Sequence, residues 1–597
     1  MKKIICTICA IVIVMTLSVP SVFAKESDRA LIEAQFEEYK DEISGAAIIQ
    51  IEDGEISDEY YYGLIDIENN IAVDESTVFE WASITKLLTW TSVMQLVEQG
   101  KIELDRDIRD YLSEALLSKL SYDKPITMLN LMHHNAGWAE AEMDDVFDPS
   151  EIIDLDAALK KFEPRQIYEP GTVVAYSNYG VALAGYVVEC VSGKPCWQYI
   201  NENIFAPLGM KNTAVHPTQR DNPGVGAARD KEKGYDYQRN YIAEHRGYGN
   251  LYPCGSAIGT IEDLAKFAMA LMPPEGSDCT LFQKRETLEF MLTPSLFYPD
   301  GSPENAHGFW TEWRGGKEFY GHGGNYIAFS CNLLFAPETR EALVVMTNTM
   351  GEYPLCHGLM DKIFGPEDLP YGPKIGAGTA KEVTGIYVMA RRQVDTSYHV
   401  VDYRLFEPIT VTAKDDYTIE FFSEEYKQVA PCVFKSERGN ILRFASENGK
   451  VTKIAIETTD LIKRPTWQIV YDYSLFGLAV LSIIYCLVML CASGLRKIIK
   501  KPEKSRLRMI RNIACVFGLA VGMNWGLLKL MTDAGRIHEI LFMVINALTL
   551  PVFAAYVWFF IKTDKKECFK ADVRLGIVAG ICLLTELTAV VSFNLWR

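Results

Sequence analysis

Ser83-Ile84-Thr85-Lys86 sets a hydroxyl and an amine three residues apart. On a helix, residues i and i+3 share a face, so Lys86 lies one turn from Ser83 and can reach its oxygen. A serine hydroxyl is a poor nucleophile until a base takes its proton, and the amides at a helix N-terminus favour the negative charge that then develops. The tetrapeptide alone is a weak signal, because a serine capping a helix beside a snorkelling lysine reads the same way. Ser121-Tyr122-Asp123-Lys124 repeats the pattern. Context separates the two. Ser121 sits in a polar, Pro-bounded loop. Ser83 opens a run with Ile84, Leu87, Leu88, Trp90, Val93, Met94, Leu96 and Val97, closed by Gly100. Apolar residues on most faces predict a buried helix, and Gly100 is placed as its C-terminal stop.

Two further groups follow in order. Tyr176-Ser177-Asn178 comes after Glu169-Pro170-Gly171, and His322-Gly323-Gly324 stands directly before an apolar run, Ile327–Phe335. Ser-x-x-Lys, then Tyr-x-Asn after a Pro-Gly turn, then a basic residue-x-Gly on a late strand resembles the serine β-lactamase and penicillin-binding protein superfamily. The spacings, 93 residues from Ser83 to Tyr176 and 146 from Tyr176 to His322, suit its class C and D-Ala-D-Ala carboxypeptidase-like branch, the S12-type serine hydrolases. Ile126–Gly137 and Gly255–Leu271, with Glu262-Asp263-Leu264, look like that branch too, and the resemblance spans roughly residues 30–355.

The resemblance implies roles. Ser83 attacks a carbonyl and forms an acyl-enzyme, while Lys86 and Tyr176 share the general-base work. A free tyrosine has a pKa of about 10, so that role needs a nearby cation such as Lys86. Asn178 holds the substrate amide. The backbone N–H groups of Ser83 and Asn325 form the oxyanion hole, and His322 keeps polar or positive character on the strand edge. No cofactor and no metal are implied; Cys190, Cys254 and His307 lack ligand-like spacing.

One departure bears on substrate choice. Many relatives carry Thr or Ser in the middle of the third motif, where the hydroxyl helps to bind a substrate carboxylate. Here the position is Gly323. An esterase, or a peptidase reading another part of its substrate, is favoured accordingly. His134, inside the family-like stretch, reads as structural; Trp138, Trp310 and Trp313 could line a cleft, with core packing the favoured reading. Glu586 falls near the middle of an apolar run, where an ionisable group is a functional candidate and an interhelical hydrogen bond is an equal reading.

These residues need a scaffold. Ala46–Glu52 and Glu55–Ile65 flank Asp53-Gly54, a strong hairpin signal. A second hairpin, Ile327–Phe335 with Ala342–Thr347, turns at Pro337-Glu338-Thr339, with helices and loops between the two. Strands at both ends around helices predict an α+β domain, a β-lactamase-like antiparallel sheet built from its two ends and flanked by helices. We place a signal peptide at 1–24, the hydrolase domain at 25–365, a Gly/Pro-rich linker at 366–379, a small β-domain at 380–466 and a transmembrane region at 467–597. Its four helices are expected at about 471–491, 510–530, 540–561 and 575–596, each near the 20 residues a bilayer requires.

Charge follows the same partition. The net charge is −19 overall; residues 25–467 carry −29 and residues 468–597 carry +8. So acidic an ectodomain repels nucleic acid and stays clear of anionic headgroups. The basic residues of the loops around 496–511 and 562–574 predict that these loops are cytoplasmic, which places the N-terminal part outside, in agreement with the signal. Seven cysteines fall within residues 25–467, an odd number; Cys190 and Cys196 are near enough to pair, and buried free thiols are the other reading. The reading is a multi-pass cell-membrane protein with an extracytoplasmic serine hydrolase domain and no effector in its short inward loops. It acts on an amide or ester: a D-amino-acid peptide, a cell-wall peptide or an exported acylated metabolite. Its expected partners are that small peptide or ester substrate and membrane lipid. Some prodrug-activating D-peptidases have a similar architecture. The alternatives are a β-lactamase, or a non-enzymatic receptor for penicillins or wall fragments.

Overall fold

Asp53 and Gly54 both adopt left-handed φ, 53° and 76°, the backbone of a tight hairpin turn whose twist matches its strands. They fold Gly45–Glu52 back on Glu55–Asp66. On its other edge Gly45–Glu52 pairs antiparallel with Glu341–Thr347, in a register running from Ala46 opposite Thr347 to Ile51 opposite Ala342. The two ends of the domain thus meet at the middle of one sheet. The computed structural model describes residues 21–141, 144–242, 247–350, 353–371, 379–394, 408–498, 506–526, 544–563 and 570–592.

The chain divides into two compact units, the first formed by residues up to Val383 with Ala413–Lys450 and Ile454–Asp460. Its nine-stranded sheet runs Ile71–Ala72, Glu55–Asp66, Gly45–Glu52, Glu341–Thr347, Phe329–Ala336, Lys317–Tyr326, Phe309–Arg314, Pro303–Ala306, Leu296–Phe297. Alternation along Gly45–Glu52 separates two apolar layers. Ala47, Ile49 and Ile51 face the helical core that holds Leu87, Leu88, Trp90 and Val93. Ala46 and Ile48 face a smaller cluster with Ile32 of the Ser21–Tyr39 helix and Leu359 and Met360 of the Gly358–Phe364 helix.

The late strands differ in one respect from expectation. His322-Gly323-Gly324 lies inside a strand of its own, Lys317–Tyr326. Ile327 is in the turn that follows, at φ 39°, and the next strand begins at Phe329. Tyr326 and Phe329 are cross-strand partners, so the apolar run continues through a tight turn that its composition does not reveal. The helix after Ser83 also starts late: Ala82–Ile84 is a 3₁₀ turn and the α-helix is Thr85–Glu98, buried from Thr85 to Leu96. Gly100, at φ 67°, ends it as expected. Cys190 and Cys196 are free thiols; Cys190 is exposed, whereas Cys196 is buried.

A second, three-stranded sheet of Val78–Glu80, Ile258–Thr260 and Thr213–Ala214 underlies the Ser83 turn. Glu80, three residues ahead of Ser83, is buried and paired with buried Arg229, Nε to Oε1 2.8 Å. Arg229 also donates to the Gly247 carbonyl at 2.9 Å and lies over the Tyr248 ring.

Strands between Gly385 and Lys463 close an eight-stranded barrel, the small β-domain expected from alternating short runs. The second unit comprises Thr384–Thr412, Val451–Lys453 and Leu461–Arg597. Its helices are Thr466–Ile498, Arg506–Gly526, Thr549–Lys562 and Lys570–Ser592. Tyr485 and Tyr556 donate to the carbonyls of Leu575 and Gly576, joining three of them. Among the described residues, two helical stretches, Thr466–Leu495 and Val544–Lys562, are long and apolar enough to cross a membrane, against the four expected. The Arg506–Gly526 helix opens with Arg506, Arg508 and Arg511, which dilute its apolar character; residues 527–530 of the expected span lie outside the described residues. In the last helix the apolar stretch, Val573–Thr585, is short, and residues 593–596 lie outside the described set, as do 540–543 and most of the expected signal, residues 1–20.

Removing one partner of a buried ion pair leaves an uncompensated charge and costs about 3–5 kcal/mol. Arg229→Met should therefore lower the urea stability of the first unit by about that amount, because Glu80 then lacks its cation. A midpoint equal to that of the parent would show that the pair does not brace the Ser83 turn.

Candidate active site

The Ser83 turn is held from three sides. Trp81 donates its backbone N–H to the Ala257 carbonyl and its indole N–H to the Gly259 carbonyl. Thr85 Oγ1 donates to the Ala82 carbonyl at 2.6 Å and accepts from the Ala257 amide at 2.9 Å. Cys331 Sγ, from the neighbouring strand, donates to the Trp81 carbonyl at 3.0 Å. Ala82 sits at φ 45°, a left-handed conformation that costs a non-glycine residue roughly 1–2 kcal/mol. The strain falls on the residue immediately before the proposed nucleophile, and the surrounding bonds sustain it.

Lys86 Nζ lies 3.0 Å from Ser83 Oγ and donates to the Cys254 carbonyl at 2.6 Å. The side chain has no solvent exposure, so its head group depends on these protein partners. One turn on, Thr89 Oγ1 donates to the Pro253 carbonyl, so the Tyr252–Cys254 turn backs the helix along two turns. Nζ also stands 4.8 Å from the centre of the Tyr176 ring.

Tyr176 arrives on an extended segment just ahead of the Asn178–Ser192 helix. Ser177 caps that helix, its Oγ accepting from the Gly180 amide at 3.0 Å, so Asn178 occupies the first turn. The buried Asn178 Oδ1 has no hydrogen-bond partner among the described residues. His134 is closer to this site than its structural reading implied. It packs on Tyr176 with ring centres 4.3 Å apart and on Trp310 at 5.7 Å, and its Nδ1 accepts from the Ser177 amide at 3.2 Å.

His322 completes the aromatic wall, 6.0 Å from Tyr176 and 6.1 Å from Trp310 between ring centres. Its Nδ1 is 2.5 Å from the Gly323 carbonyl oxygen and is therefore the protonated nitrogen. Burial, and then the Lys86 head group, push its pKa down to about 3. The shift favours the neutral imidazole at physiological pH, polar rather than positive.

The two glycines of the third motif do different work. A Cβ on Gly324 would come 2.3 Å from the Trp81 carbonyl oxygen, 2.6 Å from Cys331 Sγ and 3.2 Å from the Ser83 amide nitrogen. Gly324 is what lets the strand reach the Ser83 turn. A Cβ on Gly323 would meet nothing nearer than the Cys331 carbonyl oxygen at 3.8 Å, so that position has room for a side chain it does not carry. Asn325, next along, is exposed and pairs across the strands with Ser330.

The fold thus gathers Ser83, Lys86, Tyr176, His322 and Gly324 around one point, with Asn178 and Gly323 adjoining it. Sequence reasoning missed the Cys254 carbonyl, since a backbone acceptor has no residue signature. It also missed Asp144 and Asp145, whose only signal is a run of acidic residues. Burial raises the Asp144 carboxyl, and burial with Asp144 beside it pushes Asp145 up to about 6. Among the described residues no cluster of His, Cys, Asp and Glu is arranged to hold a metal.

Residues 32–356 match the Beta-lactamase family. The chain is 24% identical over 328 residues to Protein flp of Staphylococcus aureus strain MW2, covering 53% of this chain and 61% of that protein. It is 27% identical over 234 residues to penicillin-binding protein 4 of Amycolatopsis lactamdurans, covering 38% and 58%. The chain therefore spans about three-fifths of the length of these curated relatives. Among solved structures, that of SurE with D-Leu shares the fold, with a TM-score of 0.50 and 22% identity over 74% of this chain and 99% of that one.

Gly324→Ala should lower turnover at least 100-fold by forcing the strand and the Ser83 turn apart, because about 1 Å of misplacement costs that much. Gly323→Ala should stay within about threefold of the parent. Equal rates in the two variants would show that the close approach at Gly324 is not needed.

The depressed His322 pKa also bears on stability. A histidine kept neutral by burial contributes stability that is present above the unfolded value of about 6.5. That contribution is lost as pH falls toward the folded value of about 3. Unfolding midpoints measured between pH 7 and 4 should fall, and fall less steeply in His322→Gln. An unchanged slope in the variant would refute this.

Proposed function

The chain belongs to the beta-lactamase family, and from that premise we propose that it is a serine hydrolase working through an acyl-enzyme, with Ser83 as nucleophile. The observation that carries the reading is Lys86 Nζ at 3.0 Å from Ser83 Oγ, fixed from behind by the Cys254 carbonyl. Nucleophile and base within hydrogen-bond reach, with the base oriented by a third group, is the arrangement that activates a serine.

In this scheme Ser83 Oγ bonds to the substrate carbonyl carbon while its proton passes to the Lys86–Tyr176 pair. The carbonyl oxygen gains charge between the backbone amides of Ser83 and Asn325. When the tetrahedral intermediate collapses, the same pair returns the proton to the leaving amine or alcohol. Water then attacks the ester carbonyl, again through the pair, and frees Ser83. Asn178 Oδ1 accepts from the substrate amide.

The third motif supports a substrate class. A neutral His322 and an empty side-chain position at Gly323 supply neither cation nor hydroxyl to a substrate carboxylate. The missing hydroxyl alone is worth about 1.5–3 kcal/mol in a hydrogen bond to a charged group. Neutral amides and esters are favoured: D-amino-acid peptides, cell-wall peptides blocked at the C-terminus, or an exported acylated metabolite. We place this activity outside the cytoplasm, with the helices beyond Thr466 as a multi-pass anchor. The support is the two apolar helices and the basic sequence around 496–511 and 562–574.

Membranes carrying the protein should be labelled by a fluorophosphonate and only weakly by a fluorescent penicillin. Ser83→Ala should abolish labelling and lower turnover roughly 10³-fold or more, whereas Ser121→Ala should do neither. Parental labelling of Ser83→Ala would sink the assignment, and efficient penicillin hydrolysis would replace the substrate class with the β-lactamase one.

A further inference from the structure

Tyr176 hangs on a short extended segment whose backbone is gripped from two sides. Ala175 donates its N–H to the His134 carbonyl at 2.9 Å, and Ser177 donates to His134 Nδ1 at 3.2 Å. Those bonds come from the catalytic domain. The alternate amides point the other way, as in any extended strand, and their partners lie nearly three hundred residues on. Val174 N–H donates to Asp460 Oδ2 at 2.9 Å, and its carbonyl accepts from the Asp460 amide at 2.8 Å. Ala175 forms an antiparallel bridge with Thr459. Tyr176 N–H donates to the Thr458 carbonyl at 3.0 Å.

The segment Ile454–Asp460 belongs to the same compact unit as the catalytic sheet, although more than a hundred residues separate it from the last strand of that sheet. Asp460 is fully buried, as is nearly all of Thr459. A buried carboxylate accepting a backbone N–H is among the stronger hydrogen bonds a protein makes. It also fixes the segment in register, because Asp460 engages both the donor and the acceptor of one residue, Val174. Without this strap, the 174–176 edge keeps only its His134 side, and the tyrosine it carries is free to shift.

We infer that Asp460 is a positioning residue for Tyr176: the 458–460 strap, encoded beyond the catalytic domain, sets the place of the phenol relative to Lys86. The inference rests on the reading of Tyr176 as a proton-transfer group. It predicts an effect on kcat rather than on KM, since a misplaced proton carrier slows chemistry while the substrate still binds. A displacement of about 1 Å costs on the order of 10²-fold, so Asp460→Ala in the full chain should lower kcat by about 10- to 100-fold with KM within threefold. Asp460→Asn, which keeps an oxygen for the Val174 amide, should recover to within about threefold of the parent.

The decisive measurement is the pair of double variants on a small activated ester. If Asp460 acts through Tyr176, Asp460→Ala should cost little further in a Tyr176→Phe background; an equal loss in both backgrounds would mark Asp460 as merely structural and overturn the inference. A slow Tyr176→Phe beside an undiminished Asp460→Ala overturns it alone, whereas a Tyr176→Phe enzyme at the parental rate removes the role of Tyr176 and the inference with it. Should Asp460→Ala fail to fold, hydrogen exchange on the parent protein decides. The amides of Val174 and Tyr176 should be protected like those of the Asn178–Ser192 helix, and exchange at the rate of an open loop would overturn the strap.

Discussion

A lysine head group with no access to water governs the architecture around Ser83. Lys86 Nζ has to find acceptors inside the protein, and it finds the Cys254 carbonyl and the Ser83 oxygen. The rest follows from that requirement. The Tyr252–Cys254 turn must stand against the helix, which Thr89 and the close approach of Pro253 to Gly185 secure. The strand bearing His322 must come near enough to seal the site, which only a glycine at 324 permits. Sealing has a second effect: the same desolvation that isolates Lys86 keeps His322 neutral. The character of the third motif is thus set first by the burial of the histidine and then by the lysine beside it.

Those parts of the molecule that depend on local chemistry were legible in the sequence. Asp53-Gly54 names its own turn, Gly100 its own helix stop, and the spacing of Ser83 and Lys86 its own hydrogen bond. The order of three motifs was enough to anticipate which residues the fold gathers. Interactions through the backbone were not legible. The Cys254 carbonyl holds Lys86, and the Thr458 and His134 carbonyls hold the segment bearing Tyr176, yet any residue type could supply them. His134 shows the same limit from the side-chain side: a histidine in an apolar stretch reads as structural, and only the fold reveals the tyrosine packed on it.

Composition was a coarser guide beyond Thr466. Apolar runs of about 20 residues predicted four crossings, and helices stand at all four places, but two of them are too charged or too briefly apolar in their described parts to qualify. Arg511 illustrates why. Its side chain is buried, reaching Ser493 on the neighbouring helix and Asn512 beside it on its own, so a charge that weakens the helix as a span serves as a contact between helices. A window average counts only its cost in lipid.

The register of the central strand has a consequence for how the chain reaches its native state. Gly45–Glu52 is complete early, but its second partner, Glu341–Thr347, lies about three hundred residues later. Closing so long a loop costs entropy before any contact compensates for it, and a sheet with such distant partners forms slowly. Until residue 347 is available, the strand beside the Ser83 helix is an unpaired apolar edge, the kind of surface that recruits other chains. The interval in which aggregation competes with folding is therefore set by the time needed to make some three hundred residues.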